Sequence, residues 1–372
     1  MTPVPPAAAP RAARVRVPAS TSNLGAGFDC VGVALDCWLE ATATLGTHAS
    51  PEPRVARASA LATLGTLGAA DDLLVHGFTA ACTAAGRPVP PGLTIDATSD
   101  IPVARGLGSS AAAFAAGALL ADALLALDLG PHGAAALCAT AEGHPDNAAP
   151  ACLGGAMLGV PNDRRDTSAS PWTLVPLPLH SDVAFALAVP HFGTSTAAMR
   201  RALPTTLPHR DAVRAASKAA ALVHGLATAD AALLAWAMDD VLHVPYRRAF
   251  VPHYDAVCDA ARAAGAWGAT LSGAGSSVVA LAPSERAPAV AAAMAAAWRR
   301  LGVAAEGHTP AVASAAVVEP AVITGGSMSG GATAGDWPRG VIGRQGAPPG
   351  TGGSGPASSG VTSSAGSGRA NR

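Results

Sequence analysis

Lysine is almost absent from this chain: Lys218 is the one instance, and the other strongly basic side chains are all arginine. A Walker-type phosphate loop needs a lysine beside its glycines to reach the β- and γ-phosphates, so that class of nucleotide enzyme is excluded. Charge of either sign is sparse too. Charged residues make up 13% of the chain and the net charge is -1, which leaves no broad basic face for nucleic acid or an anionic membrane. The six cysteines, at positions 30, 37, 82, 138, 152 and 258, include no CxxC pair and no histidine at zinc-ligand spacing. Neither a disulfide framework nor a structural zinc site is indicated, and buried free thiols are expected. Long apolar runs are lacking as well. The longest, residues 111–121, stops at Asp122, too short to cross a bilayer, and the N-terminal MTPVPPAAAPRAAR has no apolar stretch behind a basic start. The expectation is a soluble protein of a reducing compartment, the cytoplasm.

What is present is apolar material in quantity. Half of the 372 residues are hydrophobic, enough for a large core in one or two domains. A Pro/Ala-rich leader covers residues 1–13, and a Gly/Ser/Ala/Pro/Thr-rich tail covers 321–372. Such a tail has too little apolar surface to offset its ordering entropy, so disorder is expected there, with Trp337 an isolated aromatic. Between them, residues 14–17 and 93–98 alternate at the strand period, and 182–189 and 277–282 also read as strands. Residues 109–127, rich in Ala and Leu without Pro, predict a long buried helix, and 211–224, 230–242, 255–264 and 287–301 read as further helices. Strands and helices interleave, so the class is α+β or α/β. A polar loop, Asn162-Asp163-Arg164-Arg165-Asp166, marks a division between residues 14–165 and 166–320.

The segment Ile101-Pro102-Val103-Ala104-Arg105-Gly106-Leu107-Gly108-Ser109-Ser110-Ala111-Ala112-Ala113 carries the most chemistry. It sets two glycines and two serines where a strand-like run meets the long helix. There the first backbone N–H groups are unpaired, the helix dipole is positive, and a phosphate chain can rest. Glycine lets the backbone approach closely, and the serine hydroxyls can add hydrogen bonds or reach a cation. A lone Gly-Leu-Gly would read as an ordinary helix start; the whole string is more specific.

Pro102 to Ala113 resembles the ATP-binding PxxxGLGSSAA signature of the GHMP kinases. Val17-Pro18-Ala19-Ser20-Thr21-Ser22-Asn23-Leu24-Gly25-Ala26-Gly27-Phe28-Asp29 is similar to the family's N-terminal motif, and Leu271-Ser272-Gly273-Ala274-Gly275-Ser276-Ser277 to its C-terminal glycine motif. Ala26 and Ser276 stand where the family often has proline, a change of loop rigidity more than of chemistry. Glu142-Gly143-His144-Pro145-Asp146-Asn147 resembles the EGHPDN segment of the homoserine kinase branch. Where the mevalonate branch has a catalytic aspartate, the matching residue here is Asn147, which cannot act as a general base at neutral pH. Ser195-Thr196 with Arg200, and His243-Val244-Pro245-Tyr246-Arg247, resemble segments that bring guanidinium groups to an amino-acid carboxylate. A planar fork suits that group better than a lysine's point charge. Arg201 and Arg248 lie one residue away from each.

The resemblance implies an α+β fold, with an N-terminal domain similar to ribosomal protein S5 domain 2 and a ferredoxin-like C-terminal domain. It also implies transfer of the ATP γ-phosphoryl group to the L-homoserine hydroxyl, on the route to threonine, by an enzyme that could be a homodimer. Asn147, Asn23 and Arg200 are implied at the reacting centre. Pro102, Arg105, Gly106, Leu107, Gly108, Ser109, Ser110, Ala111 and Ala112 are implied around ATP, and Ser110 with Glu142 on Mg2+. Asn23, Asp29, His144, Thr196, Arg200, Arg247 and Gly273 are implied around homoserine, with Asp29 suited to its ammonium. Another GHMP kinase, or a relative that only binds nucleotide or amino acid, would share parts of this pattern.

Overall fold

A computed structural model describes residues 12–46, 50–65, 67–162 and 170–320. The tail, the leader up to residue 11, and positions 163–166 of the polar loop lie outside these residues. Ala12 and Ala13, placed by composition in the leader, already pair in the first strand. In chain order the strands are β1 (Ala12–Asn23), β2 (Gly27–Leu45), β3 (Arg54–Ser59), β4 (Leu93–Ser99), β5 (Ala156–Pro161), β6 (Trp172–Pro176), β7 (Val183–Pro190), β8 (Gly268–Leu271), β9 (Val278–Pro283), β10 (Ala305–His308) and β11 (Val317–Pro320). The helices are α1 (Leu73–Ala84), α2 (Ser109–Leu125), α3 (Gly130–Glu142), α4 (Ala148–Leu153), α5 (Thr196–Arg201), α6 (His209–Thr228), α7 (Ala231–Met238), α8 (Val244–Arg247), α9 (Tyr254–Ala263) and α10 (Ala287–Arg300).

Strand β2 is the spine of the first sheet. Its 19 residues pair antiparallel with β1, with β5 through 31–33, and with β4 through 39–45. β11 joins the outer edge of β1, β3 runs parallel to β4, and β6 closes onto β5. Register between β1 and β2 is reinforced by charge: Arg14 and Arg16 both reach Glu40, and Arg16 is its direct cross-strand partner. The second sheet has the antiparallel order β10-β7-β9-β8, with α9 and α10 against it. That strand order, with the sequence β7, α9, β8, β9, α10, β10, is ferredoxin-like.

Helix α2 lies between β1 and β2 on one side and α1, α3 and α4 on the other, which is why it has no polar face. Its approach to α1 runs through two glycines. A Cβ on Gly77 would sit 1.9 Å from the Phe114 carbonyl oxygen, and one on Gly117 would sit 1.9 Å from that of Leu74, so any larger residue would separate the two backbones. This packing fixes where the N-terminus of α2 points. Lys218 is buried in α6; its Nζ donates to the Trp236 carbonyl at 2.5 Å and pairs with Asp239 at 3.2 Å. The single lysine therefore ties α6 to the end of α7.

The four strands and the long helix at 109 appear where the sequence pattern puts them. The helix expected over 230–242 ends earlier, at Met238. Asp240 explains the break: its carboxylate accepts from the backbone N–H groups of Leu242, His243 and Val244 at 2.8, 2.6 and 2.7 Å, which turns the chain into α8. Five of the six cysteines are buried free thiols and Cys30 is half-buried. No helix among the described residues is long and apolar enough to cross a membrane.

Candidate active site

A cavity of about 610 Å³ opens where the end of β1, the start of α2, the turn at 142–147, the first turn of α5, Arg247 and the loop at 273–274 converge. Its two ends differ in chemistry.

At one end are Gly106, Leu107, Gly108, Ser109 and Ser110. Gly106 and Gly108 have φ of 72° and 70°, the left-handed region. A Cβ on Gly106 would lie 2.1 Å from the Ser272 carbonyl oxygen, and one on Gly108 the same distance from Ser20 Oγ. Gly108 caps α2 without any side chain on the helix N–H groups. The first intrahelical bond runs from the Ala112 N–H to the Gly108 carbonyl, which leaves the N–H groups of Ser109, Ser110 and Ala111 available to an anion, with the helix dipole behind them. Ser110 Oγ donates to Glu142 Oε1 at 2.8 Å. Glu142 Oε2 is buried and has no hydrogen-bond partner. Burial pushes this carboxyl above its ordinary range, against the opposing pull of His144 and the Ser110 bond. A buried, unpartnered carboxylate oxygen beside a hydroxyl and an anion seat fits a hard divalent cation.

At the other end Arg200 Nη1 and Nη2 donate to Asp29 Oδ2 and Oδ1, both at 2.9 Å, a parallel two-bond ion pair. Asp29 sits at φ 57° just after the β1–β2 turn, where its N–H is held by Asn23 Oδ1 at 2.9 Å. The other half of the Asn23 amide donates to the Gly273 carbonyl at 2.9 Å, so Asn23 ties that turn to the glycine loop. Arg247 is buried; its Nε donates to the Met199 carbonyl at 3.2 Å and its Nη1 to His243 Nδ1 at 3.3 Å. Burial, then the nearby Arg200 charge, push it down to about 10, which keeps it cationic at neutral pH. Burial alone would lower the pKa of His144, but the bond to Asp146 at 2.5 Å and that residue's charge raise it. Asn147 lies between two hydroxyls, accepting from Ser20 Oγ at 2.9 Å and donating to Ser22 Oγ at 3.0 Å. Thr196 opens α5, with Ser195 as its cap, and lines the cavity.

Most residues singled out from the sequence thus meet in one cavity. Pro102, Arg105, Ala111 and Ala112 do not line it. Ala111 and Ala112 are core side chains whose contribution is backbone. The Arg105 guanidinium bonds the carbonyls of Pro190, Val103 and His191 at 2.9, 2.9 and 2.6 Å, bracing the glycine string against the end of β7. Sequence reasoning missed the apolar wall of Leu61, Leu64, Leu67 and Leu73 with Val103, and the buried Arg57–Asp72 ion pair beside it. Leucines scattered between the end of β3 and the first turn of α1 carry no local signal for a ligand. Their exposure in the folded chain, 36–37% for Leu64, Leu67 and Leu73, is what marks them.

Residues 59–155 match the family described as GHMP kinases N terminal domain, and residues 219–300 that described as GHMP kinases C terminal. The homoserine kinase of Picosynechococcus sp. is 39% identical over 295 residues, 79% of this chain and 94% of the relative. That of Gloeobacter violaceus is 40% identical, covering 76% of this chain and 92% of the relative. The crystal structure of homoserine kinase from Cytophaga hutchinsonii superposes with a TM-score of 0.72 at 26% identity, over 83% of this chain and 98% of that one. Mevalonate kinase from L. major, with a TM-score of 0.57 at 15% identity over 80% of this chain and 96% of that one, shares the fold. With relatives of this identity matched along nearly their whole length, the chain belongs to the GHMP kinases, in the homoserine kinase family.

Proposed function

We propose that this chain transfers the γ-phosphoryl group of ATP to the side-chain hydroxyl of L-homoserine, giving O-phospho-L-homoserine, with Mg2+ as the metal. One observation carries the reading: a single cavity joins a helix N-terminus without a side-chain cap to an Asp–Arg pair and a buried arginine. The first end suits a phosphate chain and the second a zwitterion.

The backbone N–H groups at 109–111 would hold phosphate oxygens, and the leucine wall would take the adenine face. Ser110 and Glu142 would hold Mg2+, which supplies charge neutralisation on the phosphates. Asp29 accepts one bond at each oxygen from Arg200, and its remaining lone pairs would take the substrate ammonium. Arg247 Nη2, which makes no hydrogen bond among the described residues, would meet the carboxylate together with the outer edge of Arg200. No strong base is needed. Phosphoryl transfer can pass through a loose transition state, so alignment and charge neutralisation can supply most of the acceleration. Asn147, locked between Ser20 and Ser22, would orient the hydroxyl without deprotonating it.

The test is ATP consumption with L-homoserine, mevalonate and shikimate in turn, each with Mg2+, and phosphorus NMR of the product. Turnover with homoserine alone is expected, with one phosphomonoester formed per ATP lost. Preference for another acceptor, or an ATP-induced thermal shift without turnover on any of them, would contradict it.

A further inference from the structure

Two aromatic rings behind the amino-acid end take no part in the chemistry above. Phe28 follows the β1–β2 turn immediately before Asp29, and its ring stacks on His243 with centroids 4.9 Å apart and planes 20° from parallel. The Arg247 guanidinium carbon lies 5.1 Å from the Phe28 ring centroid and that of Arg200 lies 5.8 Å from it. One benzene ring therefore serves both arginines, within the range where the negative face of an aromatic ring attracts a cation. His243 supplies the other support, with no exposed surface and its Nδ1 facing Arg247 Nη1 at 3.3 Å. Its Nε2 faces the Gly25 carbonyl oxygen at 3.3 Å, an acceptor, which fixes the tautomer with the proton on Nε2 and the lone pair on Nδ1. Burial pushes the His243 pKa down to about 4, with Asp240 opposing the shift and Arg247 adding to it, so the ring is neutral at neutral pH.

We propose that Phe28 and His243 are positioning residues for substrate recognition, acting through Arg200 and Arg247: the Phe28 ring holds both guanidinium groups and the His243 lone pair fixes the rotation of Arg247. The inference rests on the reading that these arginines hold the homoserine carboxylate. A guanidinium is planar, so two bonds to one carboxylate require a set rotation about its last bond. Arg247 lines the cavity with Nε and Nη1 already engaged on Met199 and His243, which leaves Nη2 as its unengaged donor group among the described residues. Arg200 is turned by its two bonds to Asp29, and the ring beneath keeps both forks together.

The experiment measures apparent KM for homoserine and for ATP, kcat and melting temperature in Phe28→Leu, Phe28→Tyr, Arg247→Ala and the Phe28→Leu/Arg247→Ala double variant. Phe28→Leu should raise the homoserine KM about fivefold to tenfold and leave the ATP KM within about twofold. Phe28→Tyr, which keeps the ring, should restore it. In the Arg247→Ala background most of the Phe28→Leu effect should disappear, because the group it positions is gone. Additive effects of the two substitutions, or equal behaviour of Leu and Tyr at position 28, would overturn the proposal. If Phe28→Leu does not fold, His243→Asn decides instead: it should raise the homoserine KM selectively, and an unchanged KM would overturn the role of His243. Arg247→Ala separates the two levels of the account. If it leaves the homoserine KM unchanged, the carboxylate reading falls and the inference with it; if it raises that KM while Phe28→Leu does not, only the positioning inference falls.

Discussion

The two ends of the cleft are built from different materials. The phosphate end is mostly backbone from one short run, residues 106–110, joined by the Glu142 carboxylate. The amino-acid end is side chains, gathered from the β1–β2 turn, the 144–147 turn, α5, α8 and the loop at 273. A seat of N–H groups is indifferent to many side chains but cannot admit a Cβ where backbones touch. A seat of side chains can be dismantled one group at a time, each loss falling on one substrate.

The largest expected effect comes from putting a methyl group where the backbone seat is tightest. Gly106→Ala sets a Cβ 2.1 Å from a carbonyl oxygen at φ 72° and should cost about 2–4 kcal/mol of stability, read by denaturant unfolding, with loss of ATP-dependent turnover. Next are Ser110→Ala and Glu142→Gln, which should lower kcat by roughly a hundredfold with Mg2+ while leaving homoserine binding in place. Burial raises the Glu142 pKa, so its ionisation costs the folded state increasingly as pH rises through the folded value. Glu142→Gln, assayed without metal at pH 8, should therefore melt no lower than the parent, and a lower melting point would contradict the buried, unpartnered carboxylate.

Acid should separate the ends more gently. His243 has a folded pKa near 4 against an ordinary 6.5, so the unfolded chain binds the extra proton first. Its contribution to stability is present above about pH 6.5 and is lost as pH falls toward 4. Around it the Asp240 charge opposes the downward shift and the Arg247 charge adds to it, with Asp29 a smaller opposing influence. In the folded enzyme His243 takes its proton only near pH 4, so homoserine affinity should hold through most of that window and fall at its acid end, and His243→Asn should flatten that fall. The smallest catalytic effect belongs to Arg105→Ala. Its guanidinium braces three carbonyls outside the cavity, so unfolding should become easier while the ATP KM stays within about twofold.

The same contrast governs how much could be read from the chain. The phosphate end is legible because its geometry is local: two glycines, two serines and a long apolar helix lie next to one another, and Ser110 and Glu142 needed only the family motif to be paired. The amino-acid end was legible as residue types but not as partners. Nothing in the spacing of Asp29 and Arg200, which are 171 residues apart, shows that they bond each other before any substrate arrives. The ferredoxin-like order of the second sheet was likewise supplied by resemblance, since strand alternation is silent on which strands pair. Arg105 was drawn into the nucleotide site by its place in the glycine string, although packing spends it on the end of β7. The leucine wall, with no motif, was not seen at all.

The central claim, that one cavity holds ATP by backbone and homoserine by arginine, is tested most directly by the apparent Michaelis constants of Arg247→Ala for both substrates, with folding checked by circular dichroism. A lost charged hydrogen bond of about 1.5–3 kcal/mol predicts a homoserine KM raised roughly tenfold to a hundredfold and an ATP KM that scarcely moves. Equal weakening toward both substrates, or near-unchanged homoserine kinetics, would contradict it.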